Sequence, residues 1–153
     1  MELREVAEAD YAYVMRVIDS WWGGRPMAAM LPKLFFVHFR DTSFVLEEAG
    51  EIVAFLIGFV SQTFPNEAYI HFVGVHPEYR SMRLGNRLYE TFFQRVQARG
   101  CDTVRCVTSP VNQGSVAFHT RMGFAIEKVA EEYDGQGQSR VLFVKKIGET
   151  TAV

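Results

Sequence analysis

The chain has 153 residues, 48% hydrophobic and 14% aromatic, which excludes disorder and fits one soluble domain burying roughly 70% of its extended-chain surface. Sixteen Lys and Arg against eighteen Asp and Glu give a formal charge of -2, so no bulk positive charge is available for a polyphosphate backbone and nucleic acid is excluded as the main partner. Two cysteines, Cys101 and Cys106, are too few for a disulfide framework or a four-thiolate zinc site.

In chain order, Leu3 to Val6 is expected as a short strand. Ala7 to Trp22 follows as a helix, with Tyr11, Val14, Met15 and Ile18 at helical spacing and Asp10 in the first turn. Gly23-Gly24-Arg25-Pro26 breaks it. Met27 to Phe39 is a second apolar helical segment, interrupted or begun around Pro32. Phe44 to Glu48, Ala49-Gly50 and Glu51 to Val60 predict a hairpin whose second strand is apolar on both faces, as a strand covered on both sides should be. Gln62 to Glu67 is a turn, Tyr69 to His76 a strand, and Pro77 stops it. Leu84 to Arg99 is the clearest helix, with Leu84, Leu88, Phe92 and Val96 as its apolar stripe and Gly100 past its end. Thr103 to Thr108 is a strand and Ser115 to Met122 a short helix closed by Gly123. Ile126 to Tyr133 and Arg140 to Lys146 are the last strands, joined across Gly135-Gln136-Gly137. The elements predict a single α/β domain over 1–147 and a polar tail over 148–153. The start MELREVAEADYAYV has neither a basic segment nor an apolar core, and the apolar run Ile52–Val60 falls far short of the about 20 residues that span a bilayer. A cytoplasmic chain with no membrane partner is expected.

The chemistry concentrates between Tyr69 and Phe124. A strand ends at Val75-His76-Pro77, a polar loop follows, and Leu84-Gly85-Asn86 opens a strong helix. A helix start leaves backbone N–H groups unpaired and carries about half a positive charge, which suits phosphate oxygens. Arg80, Arg83 and Arg87 add cations at the same end. Neither the nucleoside-triphosphate loop nor a Gly-x-Gly-x-x-Gly turn is present. Downstream come a strand, Ser109-Pro110-Val111-Asn112, and a short helix ending in Met122-Gly123-Phe124.

With Arg80-Ser81-Met82-Arg83-Leu84-Gly85 on the first loop and Asn112 to Phe124 after the later strand, the chain resembles the GNAT superfamily of acyl-CoA-dependent N-acetyltransferases. That family carries Arg/Gln-x-x-Gly-x-Gly/Ala between strand and helix, and a later Asn-led helix ending in a Gly-Phe pair. The order of the other elements matches too. The resemblance implies a central, mostly antiparallel mixed sheet flanked by helices and splayed between the fourth and fifth strands. It implies acetyl-CoA as co-substrate and no metal. The diphosphate is expected on the backbone from Met82 to Asn86, the pantetheine arm beside the backbone of Val73 and Val75, and Asn112, Ser115 and Phe118 on the other flank. Arg80, Ser81, Arg83, Leu84 and Gly85 complete the expected coenzyme loop. Arg83 stands where the family has its first loop glycine. If that position needs φ > 0, the side chain costs about 1–2 kcal/mol, which a charged contact to a phosphate would offset.

Presenting an amine of pKa about 10.4 unprotonated at neutral pH costs on the order of 4 kcal/mol. A proton acceptor typically contributes about 10²–10⁴-fold. On the strand, residues 69, 71, 73 and 75 share one face and 70, 72 and 74 the other, and His71 interrupts the apolar pattern. Some family members place a histidine on this strand and others a glutamate two residues earlier, where this chain has Tyr69. The resemblance therefore assigns His71 as general base, directly or through water. The family's usual acid, a tyrosine four residues before the glycine of the Gly-Phe pair, is His119 here. The oxyanion is expected to meet the backbone N–H of Val73 or Val75.

On the acceptor side, Trp21 and Trp22 in a glycine turn offer an aromatic face for a cation, Arg25 a partner for a carboxylate, and Asp134 in the last hairpin an attraction for an ammonium. Cys101 and Cys106 have no adjacent activating group and are expected to fill the core. The expected activity is acetyl transfer from acetyl-CoA to an amine of a small molecule or peptide by direct attack in a ternary complex. Longer acyl groups stay open, and the resemblance suggests a homodimer. A CoA-binding regulatory domain without catalysis and a structural or partner-binding module are the alternatives.

Overall fold

Residues 1–148 are described in a computed structural model; beyond Gly148 the expected polar tail lies outside them. Its strands are β1 (Glu2–Glu5), β2 (Phe44–Glu48), β3 (Glu51–Val60), β4 (Glu67–Val75), β5 (Thr103–Thr108), β6 (Ala125–Ala130) and β7 (Arg140–Lys146). Four α-helices accompany them among the described residues: α1 (Asp10–Trp21), α2 (Leu34–His38), α3 (Leu84–Ala98) and α4 (Gln113–Arg121). The strands form one sheet in the order β1-β2-β3-β4-β5-β7-β6. β1–β2, β2–β3, β5–β7 and β6–β7 are antiparallel and β4–β5 is parallel, the mixed sheet expected. A parallel pair needs a long crossover, and the chain from His76 through α3 supplies it. The parallel register covers only Glu67↔Thr103, Ala68↔Val104 and Tyr69↔Arg105, although β4 runs on to Val75 and β5 to Thr108. This is the expected splay between the fourth and fifth strands.

The chain's contacts group into two compact units, Met1–Phe59 with His71–Arg95, and Val60–Ile70 with the chain from Val96. In the first unit, α1 begins three residues later than its apolar spacing predicts. Asp10 accepts the Ala7 N–H at 2.7 Å and both guanidinium NH2 groups of Arg4 at 2.8 and 2.9 Å, so residues 7–9 form a turn before the helix. Val14, Ile18 and Trp21 then bury against Leu31, Phe36, Val45, Phe55, Ile57 and Phe72. Each fully buried aliphatic or aromatic side chain of this kind contributes about 1.5–3 kcal/mol. The apolar stretch 27–39 divides at Pro32 into a 3-10 turn, Ala28–Met30, and the short α2. β2 and β3 are joined by Ala49 and Gly50 at φ 51 and 82°, the left-handed pair that closes a two-residue hairpin. Residues 52–58 of β3 are buried throughout, as their unbroken apolar run requires. α3 buries Leu84, Leu88 and Phe92, and its Arg95 binds Glu5 at 2.7 Å while its guanidinium lies 5.1 Å from the Phe44 ring centroid.

In the second unit, Cys101, Val104, Cys106, Phe124, Val141, Phe143 and Ile147 are buried. Burial pushes both thiols up, Cys106 far above its ordinary value, which suits core packing and not nucleophilic chemistry. β6 stops at Ala130, three residues short of the expected Tyr133. Glu132 at φ 55° and Gly135 and Gly137 at 118 and 73° turn residues 131–139 into a wide loop, closed by the Asp134 N–H donating to the Gln138 carbonyl at 3.1 Å.

Candidate functional site

β4 alternates strictly. Tyr69, His71, Val73 and Val75 are half-buried, and Ala68, Ile70, Phe72 and Gly74 are buried. His71 thus lies on the open face of the strand and does not break its apolar face, a correction to the pattern read from sequence. Its Nε2 donates to the Met30 carbonyl at 2.6 Å, and its ring stacks on Phe35 with centroids 4.5 Å apart and planes 10° apart. In the neutral ring this bond puts the proton on Nε2 and the lone pair on Nδ1. The buried face explains Gly74. A Cβ there would stand 2.7 Å from the Phe55 ring and 2.8 Å from Trp22, so only glycine lets both rings approach the strand. Trp22 also packs on Phe72 at 4.9 Å and Trp21 on Phe55 at 5.8 Å, so both tryptophans of the expected acceptor wall serve the core as well. Arg25 is exposed in the following turn and has no ion pair among the described residues.

Past β4, the stretch expected as polar loop is a 3-10 turn, Pro77–Met82, capped by His76 Nδ1, which accepts the Glu78 N–H at 3.0 Å. Arg80 ties this turn back. Its Nε donates to the Val75 carbonyl at 3.3 Å and an Nη to the Trp21 carbonyl. The guanidinium expected at the coenzyme therefore also anchors the turn to β4 and α1. Ser81, Met82 and Arg83 are exposed. Arg83 has φ 56° and ψ 33°, the left-handed conformation that the family's glycine would occupy freely. α3 starts at the next residue. The Arg87 N–H donates to the Arg83 carbonyl at 3.3 Å, so the N–H groups of Leu84, Gly85 and Asn86 stand ahead of that helical bond.

In the second unit, Asn112 is the N-cap of α4, its Oδ1 accepting the Ser115 N–H at 3.1 Å. That cap starts the helix two residues earlier than expected. Phe118 lies edge-on to His119, which is buried and stacked on Phe143 at 4.7 Å, and His119 Nδ1 donates to the Ser115 carbonyl at 2.8 Å. Desolvation lowers the His119 pKa and the Ser115 bond only partly opposes it, so the ring is neutral at pH 7. A neutral ring whose Nδ1–H is committed to its own helix is poorly equipped for the acid role expected of it. Tyr69 is driven well above its ordinary pKa by desolvation, with Tyr133, Cys106 and Asp134 adding to the rise, so its phenol keeps its proton. Asp134 pairs with Arg140 at 2.8 Å, and Arg105 holds both Glu67, at 2.8 Å, and Glu127. Among the described residues no group of three or more His, Cys, Asp or Glu is arranged to hold a metal ion, and no helix is long and apolar enough to cross a membrane.

Sequence reasoning did not single out Met30, Phe35, Gly74 or Asp19, whose carboxylate holds the turn carrying Met30. A lone glycine within an apolar strand is a signal for close approach and could have pointed to Gly74. Nothing in the sequence pointed to Met30, because a backbone carbonyl makes the contact.

A family model described as the Acetyltransferase (GNAT) family matches residues 6–124. The acetyltransferase plu1384 of Photorhabdus laumondii is 26% identical over 110 residues, 72% of this chain and 68% of that protein. A GNAT-family protein from Desulfovibrio desulfuricans superposes with a TM-score of 0.84 at 17% identity, covering 96% of this chain and 99% of that one. The yncA protein of Salmonella typhimurium, solved with its cofactor acetyl-CoA, reaches 0.77 at 15% identity over 99% and 96% of the two chains. With a glycine-type turn feeding α3 from an open-edged β4, an Asn-capped α4 and a family match over most of its length, this chain belongs to the GNAT acetyltransferase family.

Proposed function

We propose that the protein is an N-acetyltransferase moving an acetyl group from acetyl-CoA to a primary amine by direct attack in a ternary complex. The observation that carries the proposal is the left-handed Arg83, which turns the chain from β4 into α3 so that the N–H groups of Leu84, Gly85 and Asn86 stand together at a helix start. That cradle, with exposed Ser81, Met82 and Arg83 beside it, fits the diphosphate of a coenzyme. The coenzyme, when bound, supplies a thioester. Val73 and Val75 lie beyond the last residue of β4 that pairs with β5, so their backbone fits a strand-like partner along that edge and an N–H toward the oxyanion. Asn112, Ser115 and Phe118 are assigned to the coenzyme as well.

In the proposed reaction the amine nitrogen forms a bond to the thioester carbon, the carbon–sulfur bond breaks, and the thiolate leaves. His71 Nδ1 takes the amine's proton, directly or through water, because Nε2 is committed to Met30. Tyr69, held protonated, is available as a hydrogen-bond donor. Trp22 and Arg25 are assigned to the acceptor. The side chains against His71 are Phe35 and Phe72. That apolar surround favours an amine on an apolar body over a polycation.

The test is thermal unfolding with acetyl-CoA, followed by thiol release with an amine panel. At about 100 Kd the coenzyme stabilises by about 2.7 kcal/mol, and apolar primary amines are expected to turn over faster than polyamines. No stabilisation at millimolar acetyl-CoA would overturn the proposal. Stabilisation without amine-dependent thiol release would leave the second reading, a CoA-binding domain without turnover, which the neutral His119 favours.

A further inference from the structure

We propose that Asp19 is a positioning residue for His71, acting through the turn that carries the Met30 carbonyl. The inference rests on the base role given to His71 above. Asp19 lies in the last turn of α1, and one oxygen of its carboxylate accepts the N–H groups of both Met27, at 2.8 Å, and Ala28, at 3.1 Å. Its own carbonyl accepts from Trp22 at 3.2 Å and Gly24 at 2.8 Å, so the residue fixes the glycine turn on one side and the 3-10 turn on the other. Within that 3-10 turn the Met30 N–H donates to Met27 at 3.0 Å and the Leu31 N–H to Ala28 at 3.1 Å. Leu31 then plugs into the core with no exposed surface. The turn is therefore pinned at its start by a carboxylate and at its end by a buried leucine.

What this pinned turn presents is a carbonyl. Met30 is 46% exposed, while its oxygen stands 2.6 Å from His71 Nε2. A carbonyl only accepts, so the bond requires the proton on Nε2 and reserves Nδ1 for the substrate. The stacked Phe35 fixes the plane of the ring, and the carbonyl fixes its rotation within that plane. A histidine on the half-open face of a strand has no other hydrogen bond among the described residues to hold it. Remove the carboxylate, and the 3-10 turn loses its two anchoring bonds, the carbonyl moves, and Nδ1 loses its aim.

The experiment compares Asp19→Ala, Asp19→Asn and Asp19→Glu with the wild type by steady-state kinetics and by proton and nitrogen-15 spectra of the His71 ring. Asp19→Ala is expected to lower kcat by about 10- to 100-fold with the KM for acetyl-CoA nearly constant. Asp19→Asn keeps an accepting oxygen at the same place and should restore turnover. Asp19→Glu keeps the charge but displaces that oxygen and should resemble alanine. The wild type and Asp19→Asn should show a downfield, slowly exchanging Nε2 proton that Asp19→Ala lacks. Absence of that resonance from the wild type would overturn the inference without any variant. Unchanged kcat and an unchanged resonance in Asp19→Ala would overturn it while leaving acetyl transfer intact. Full turnover by His71→Ala would remove the base reading, and this inference with it.

Discussion

Arg83 holds a conformation that costs energy, and its replacement by glycine should separate what the backbone wants from what the coenzyme wants. At φ 56° and ψ 33° a residue with a Cβ is strained by about 1–2 kcal/mol. Glycine relieves that strain but adds about 0.5–1 kcal/mol of unfolded-state freedom, so Arg83→Gly should stabilise the ligand-free protein by about 0.5–1 kcal/mol. For a chain of this length that is a rise in Tm of about 1–4 °C. The same change removes an exposed cation beside the proposed diphosphate cradle. An exposed charge contact is worth at most about 1 kcal/mol, or roughly fivefold in Kd. Arg83→Ala is the control, since alanine loses the charge and keeps the strain. Calorimetric unfolding and CoA titration of the three proteins should therefore give a higher Tm for glycine alone and weaker CoA binding for both variants. A lower Tm for Arg83→Gly would refute the strain argument, and unchanged CoA affinity would refute the idea that the arginine offsets its strain at a phosphate.

Gly74→Ala should cost about 1–3 kcal/mol, because the new methyl would stand 2.7–2.8 Å from Phe55 and Trp22; an unchanged denaturation midpoint would show that the rings yield freely. Asp10→Asn should destabilise by about 1.5–3 kcal/mol at pH 7, through weakened bonds to Arg4 and Ala7. Desolvation alone would raise the Asp10 pKa, but the Arg4 bonds, the Ala7 N–H and the Arg4 charge outweigh it and lower it. Its contribution is thus full above the ordinary carboxylate range and lost as pH falls through the lowered value, so the gap between wild type and variant should close in acid. His119, with its folded pKa also lowered, contributes stability that is complete above about pH 6.5 and lost as pH falls toward the folded value. Between pH 7 and 5 the wild type should therefore lose more stability than His119→Phe, and parallel losses would show that another group titrates.

The order of elements was legible because each local signal agreed with the tertiary outcome. Ala49-Gly50 closes the hairpin it suggested, the unbroken apolar run of β3 is buried throughout, and the stripe Leu84, Leu88, Phe92 faces inward along α3. Boundaries moved where a side chain captured backbone groups that periodicity does not register. Asp10 delays α1 by taking the Ala7 N–H, Asn112 advances α4 by capping it, and Glu132 at φ 55° helps end β6 early. The stretch assigned to the coenzyme could be picked out because it is contiguous in sequence, and the departure at Arg83 raised the question of a left-handed backbone, which that residue adopts. The surroundings of His71 could not be read in the same way. Met30 and Phe35 lie some forty residues upstream, and one contact is a main-chain oxygen that any residue type would supply. Arg80 and Asp134 were recognised by charge, but their ion pairs and backbone bonds are visible only in three dimensions.

The unequal sizes of the two proton demands bear on whether such a site can turn over with His71 present and His119 neutral. Freeing an amine of pKa about 10.4 at pH 7 costs on the order of 4 kcal/mol, whereas expelling an alkyl thiolate of pKa about 8.5 costs roughly 2 kcal/mol. In the proposed reaction a base would answer the larger demand, and a missing acid would concede the smaller one. The two histidines differ in the same sense. His71 has a fixed ring plane, a committed Nε2 and an open-face position on β4, while His119 is buried against Phe143 and bonded into its own helix. With His71 as the base proposed above, the costlier half of the proton chemistry would be met, and the proposed acetyl transfer should respond far more to the placement of His71 than to the protonation of His119.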